Sequence, residues 1–159
     1  MSEPPELSAM REVVALWYVD QSTCADIVYA ACDLLAAGYD GPSLRMLAAV
    51  SIDDAYAEVP PLLEAALGDV GLPYLPRDSA AAELAALRAM VARALSGEIT
   101  PRELTAWVHG QFGHTRLEVA ELLAALDDDY DIGSVDVAEI DAEVLAEART
   151  IADLPSGPT

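Results

Sequence analysis

The chain has no lysine: all eight of its basic residues are arginine. With its many alanines, this is the codon signature of a GC-rich bacterial genome. Two cysteines and two histidines leave little for disulfide or metal chemistry. Cys24 and Cys32 sit eight apart on one expected helix, about 12 Å along its axis, too far for a disulfide with each other. They read as small buried apolar residues of a reducing compartment. No stretch approaches the roughly 20 apolar residues of a membrane span. Met-Ser-Glu-Pro-Pro-Glu has neither the basic nor the apolar region of a signal peptide, so a cytoplasmic protein is expected. Basic charge is too sparse for the footprint that nucleic acid or an anionic membrane surface demands. No segment alternates as a strand does, which removes the phosphate loops that follow strands. No Gly-x-Ser-x-Gly elbow occurs, and no catalytic residue is assigned.

What the chain does have is acid and helix. Its 159 residues carry a net charge of −20. Twelve carboxylates and one base, Arg149, lie between Glu118 and Asp153, giving that stretch a net −11. Helical periodicity runs almost throughout, so the expected fold is all-α, a bundle of seven to eight helices. Two lobes are expected: 1–72, a proline-rich connector at 73–78, and 79–154, with a tail at 155–159. Leu7, Met10, Val14 and Trp17 form one inner stripe. Cys24, Ile27, Val28, Ala31, Leu34 and Leu35 form the next. Thr23 with Asp26, Thr100 with Glu103, and Thr115 with Glu118 have capping-box spacing. Gly38 and Gly97 are stops. Pro42 opens a helix through about Val50. Pro60-Pro61 is expected to interrupt a helix that restarts and runs to Asp69.

Asp78 or Ser79 starts the second lobe, with Leu84, Leu87, Val91 and Leu95 inside. Gly110 and Gly113 should break the helix that carries Leu104, Trp107 and Val108. After it come a helix with Val119, Leu122, Leu123 and Leu126 inside and an acidic turn. A last helix is expected from Val137 to Ala152, capped by Asp136, with Val137, Ile140, Val144, Ala148 and Ile151 inside.

The acidic stretch is locally unfavourable. Asp127, Asp128, Asp129 and Asp131 follow a helix end, where the dipole disfavours anions. Glu139, Glu143 and Glu147 recur every four residues and repel. These seven, with Tyr130 as an aromatic anchor among them, are the expected partner-binding residues. His109 and His114 straddle a broken helix end and could meet a metal with Asp127 or Asp129, but no defined ligand motif accompanies them, so no metal or cofactor is expected. Asp127, Asp129 and Asp131 alternate as in a calcium loop, yet Ile132 stands where glycine is needed and Ala138 where glutamate is needed.

The run Val91-Ala92-Arg93-Ala94-Leu95-Ser96-Gly97-Glu98-Ile99-Thr100-Pro101-Arg102-Glu103-Leu104-Thr105-Ala106-Trp107, followed by a helix, an acid-rich turn and an acidic helix, resembles the small helical immunity proteins of the colicin D type. The resemblance covers about Ser79–Leu154. It implies a helical bundle whose acidic side chains meet the basic, RNA-binding cleft of a ribonuclease toxin. Residues 1–77 have no counterpart in it, and no single inhibitory residue is carried over. The expectation is a non-enzymatic protein that engages a basic partner, most concretely a nuclease toxin domain. Two alternatives stand beside it: a helical adaptor with an apolar groove, and a small enzyme with a site around His109 and His114. Oligomeric state is not readable from the sequence.

Overall fold

A computed structural model describes residues 2–155 of the chain; residues 156–159 of the expected tail lie outside the described residues. The fold is all-helical: eight α-helices and two short 3-10 turns, with no strand among the described residues. No helix among these residues is long and apolar enough to cross a membrane. The helices are α1 (Pro5–Trp17), α2 (Cys24–Ala36), α3 (Pro42–Ala48), α4 (Ala55–Asp69), α5 (Ala80–Ser96), α6 (Pro101–Phe112), α7 (Glu121–Ile132) and α8 (Val137–Ala152). They fall into two compact units, Met1–Ala86 and Leu87–Thr159.

In the first unit α1 packs on α2, and α2 on α3 and α4. The core joins Met10, Val14 and Trp17 of α1 to Ile27, Ala31 and Leu34 of α2 and to Leu44, Leu47, Val59 and Leu63 of α3 and α4. Thr23 and Asp26 form the expected reciprocal cap. The N-terminus of α3 is capped from a distance: Asp69 Oδ2 accepts from the amides of Ser43 and Leu44 at 2.8 and 2.9 Å. A side chain at Gly41 would collide with Asp69, so glycine is required there for this close approach.

Three expectations in this unit need correction. α4 runs unbroken through Pro60 and Pro61. Each proline removes one backbone bond, but the carbonyls released belong to Tyr56 and Ala57, which are exposed and can turn to water. Helix α3 stops at Ala48 rather than Val50. Of the cysteines only Cys24 is buried; Cys32 is exposed, its thiol donating to the carbonyl of Ala48.

The connector is irregular, as its prolines require, yet it is pinned to the end of α1. The Tyr18 hydroxyl accepts from Leu75 N at 2.9 Å. Arg77 donates to the carbonyl of Trp17 at 3.0 Å and to Asp20 at 2.7 Å, with its guanidinium 4.4 Å above the Trp17 ring. The segment therefore belongs to the first unit, and the division falls within α5, later than the connector. Ser79 is the residue that caps α5, accepting from Ala82 N.

In the second unit α6 packs on α7, and α8 on both. Leu104, Val108, Phe112, Leu123, Leu126, Ile140, Val144 and Ile151 are buried. Thr100 and Glu103 close the expected capping box. The amide of Thr100 donates to the Glu103 carboxylate and holds its pKa below the usual range. Helix α6 continues through Gly110 and stops only at Gly113. The Thr115–Glu118 box does not form; a 3-10 turn at Glu118–Ala120 comes first and α7 begins at Glu121. Leu95, Leu122 and Val137, expected inside, are exposed.

Candidate functional site

The acidic run Asp127–Asp131 is the last turn of α7, not a loop. The helix carries on through Ile132 and ends at Gly133, which takes the left-handed conformation at φ 67°. Four aspartates at a helix C-terminus oppose the dipole, so partners are needed, and α6 supplies them. Arg102, Thr105 and His109 recur at three- and four-residue intervals and line the face of α6 turned to α7. Asp127 Oδ1 accepts from the Thr105 hydroxyl at 3.2 Å, and Asp127 Oδ2 lies 2.9 Å from His109 Nδ1. One turn on, Asp131 Oδ1 accepts from Arg102 at 3.1 Å. The same guanidinium lies 5.2 Å from the centre of the Tyr130 ring.

Tyr130 is therefore not an exposed anchor. It is 7% exposed, and its hydroxyl donates to Asp141 of α8. Burial, then the Asp141 carboxylate, pushes its pKa well above the ordinary phenol value. The ring is part of the contact between α7 and α8.

The two histidines converge. Gly113 ends α6 at φ 60°, ψ −149°, a conformation in effect restricted to glycine. The chain turns back there, and the rings of His109 and His114 meet edge to face with centres 4.8 Å apart. Asp128 reaches both: Oδ2 is 3.1 Å from His114 Nε2, and Oδ1 is 3.7 Å from His109 Nδ1. Glu121, in the first turn of α7, lies 3.1 Å from His114 Nδ1. The hydrogen bond to Asp127 outweighs partial desolvation and raises the pKa of His109, with Asp128, Asp127 and Asp131 adding to the shift through charge. Sequence spacing offered Asp127 or Asp129 as the residue to join the histidines; it is Asp128 that bridges them, with Asp127 behind His109.

The remaining acids stand elsewhere. Asp129 has no ion-pair partner among the described residues, and Glu139 and Glu143 are exposed on α8. Glu147 is half-buried in a shallow groove with Leu117, Val119, Leu122, Ala125 and Leu154; burial raises its pKa. That groove lies against the first half of α7, whereas Asp131 stands at its last turn, so the seven carboxylates do not form one surface. Asp136 caps α8 by accepting from Ala138 N at 3.2 Å.

Between α7 and α8 the chain exposes three aliphatic residues, of which periodicity places Val137 inside and Ile132 and Val135 on no inner stripe. Ile132, Val135 and Val137 are 68%, 41% and 56% exposed within six residues. Asp129, Asp131, Asp136 and Glu139 flank them in sequence. The available signal was that Val137 and Ile132 lie at the two ends of helices, where an inner stripe runs out.

No protein-family model matches this chain, and no curated protein or solved structure matches it either.

Proposed function

We propose that this protein is a non-enzymatic helical binding protein that engages a basic protein partner through the corner between α7 and α8. The observation that carries the reading is the exposure of three aliphatic residues within six positions, Ile132, Val135 and Val137, with carboxylates on either side of them in sequence. An apolar centre with a charged rim is the anatomy of a protein interface, and the sign of the rim selects a cationic partner. Burying each of these side chains contributes on the order of 1 kcal/mol, scaled from transfer energies by the exposure available. The rim adds steering: a field from a net charge of −20 speeds the approach of a basic protein and loses that effect as salt rises. Most concretely, the partner is a nuclease toxin domain, whose RNA-binding cleft must be basic, and this chain is its immunity-type inhibitor.

The test is capture from cells that carry the gene, using the full chain as bait and mass spectrometry to identify what is bound. The expected partner is basic, is released by moderate salt, and loses any RNA-cleaving activity on adding one equivalent of this protein. Ile132→Ser with Val137→Ser should abolish capture, and Asp129→Asn with Glu139→Gln should weaken it strongly. Neutralising Asp53 and Glu58 in the first unit should leave it intact. Equal effects from the two sets of acids, or capture that ignores salt, would sink the reading.

A further inference from the structure

We propose that His109, His114 and Asp128 form a binding site for a transition-metal dication of the zinc type. The site is assembled from separate pieces of chain. His109 comes from α6, His114 from the segment that Gly113 turns back, and Asp128 from α7. One donor atom of each lies within 4.8 Å of the other two. Zinc bonds of about 2.0–2.2 Å in tetrahedral geometry set ligand atoms roughly 3.5 Å apart, and His114 Nε2 and Asp128 Oδ2 are 3.1 Å apart. Small side-chain rotations complete the closure, and all three side chains reach the surface, so they are free to make them.

Two further features distinguish this cluster from an ordinary set of ion pairs. The first is the outer layer. A metal-bound imidazole characteristically gives its other N–H to a carboxylate, which fixes the ring and raises its basicity. Each ring has a carboxylate at Nδ1, with His109 Nδ1 2.9 Å from Asp127 and His114 Nδ1 3.1 Å from Glu121, so the proposed metal takes Nε2 of both rings and the 3.7 Å approach of Asp128 to His109 Nδ1 is not a ligand contact. The second is the placement of His114, which turns both ring nitrogens to carboxylates, Glu121 and Asp128: Nδ1 serves Glu121, and Nε2 with Asp128 Oδ2 forms a nitrogen–oxygen pair that a cation can bridge. Glu121 adds a sign of incompleteness, because its Oε2 is shielded from solvent without a hydrogen-bond partner. Two nitrogens and one carboxylate oxygen favour zinc-like ions over magnesium or calcium, which take oxygen shells. Three protein donors leave one tetrahedral position to water.

The site uses none of Ile132, Val135, Val137, Asp129 or Glu139, so its test is separate from that of partner binding. The full chain, stripped with a chelator, is titrated with Zn²⁺ by calorimetry in excess Mg²⁺, which occupies the loose surface carboxylates. One saturable equivalent is expected, and Co²⁺ in its place should give the strong visible bands of a tetrahedral site. His114→Gln should remove the equivalent, and Asp127→Asn should weaken it by about 10–100-fold, as loss of an outer carboxylate does. Asp129→Asn, on the same helix, should leave it unchanged. His114 is exposed, so its variant folds, and circular dichroism checks this. Absence of a saturable equivalent, several weak equivalents, or the same titration in wild type and His114→Gln overturns the proposal.

Discussion

Single residues in the second unit take their roles from what faces them. Tyr130 and Asp131 are neighbours in sequence, yet one closes the contact of α7 with α8 and the other pairs with Arg102 of α6. Their place in the aspartate run marks both as partner-facing residues, yet neighbours on a helix point about 100° apart, which sends them to different helices. Glu147 is the informative acid for pH. Its pKa is raised by burial in the folded protein, so folding binds its proton more tightly. The corresponding stability is fully present below the ordinary glutamate pKa and is lost as pH rises through the raised one. Glu147→Gln should therefore melt at a higher temperature than wild type at neutral pH. The difference should vanish as the pH falls below the ordinary carboxylate range. Melting curves for both proteins across pH decide this; a constant offset at every pH would contradict it.

At the scale of elements, caps and stops with local grammar were legible. Thr23–Asp26, Thr100–Glu103, Ser79 and Asp136 all cap as their spacing implies, because a capping bond spans only two or three residues. The Thr115–Glu118 box is the exception, displaced by the 3-10 turn at Glu118–Ala120, and the helix breaks that do not occur share one cause. Pro60 and Pro61 do not break α4, and Gly110 does not break α6, because packing on one side of each helix outweighs a local deficit on its exposed side. Three of the four aspartates of α7 are met from outside the helix, Asp127 by Thr105 and His109, Asp128 by His114 and Asp131 by Arg102, so the run can stay helical. None of these partners lies within one turn in sequence. Asp69 is the clearest case of a cap that sequence could not offer, since it sits 26 residues from Ser43. Asp69→Ala should destabilise the protein by about 1–2 kcal/mol, the upper part of the capping range, because two amides lose their acceptor. Chemical denaturation would measure it, and a change within error would mean that water replaces the carboxylate at no cost.

For the whole molecule, charge is the governing quantity. A net −20 on 159 residues opposes compaction. Raising salt from about 10 mM to about 150 mM shortens the screening length from roughly 30 to 8 Å, so the melting temperature should rise. A flat response would mean that the acids are already compensated by their neighbours. The same field, concentrated beyond Glu118, is what the proposed partner would meet. Composition and periodicity determined that this chain is all-helical, highly acidic and without a membrane-crossing helix, because those properties depend on residue type and on local spacing alone. The tertiary structure decided which acids have partners, that Tyr130 is core, that Ile132, Val135 and Val137 are left outside, and that His109 and His114 meet Asp128. Those outcomes depend on how α6, α7 and α8 are set against one another, and contacts between helices are fixed by packing over distances that no local spacing encodes.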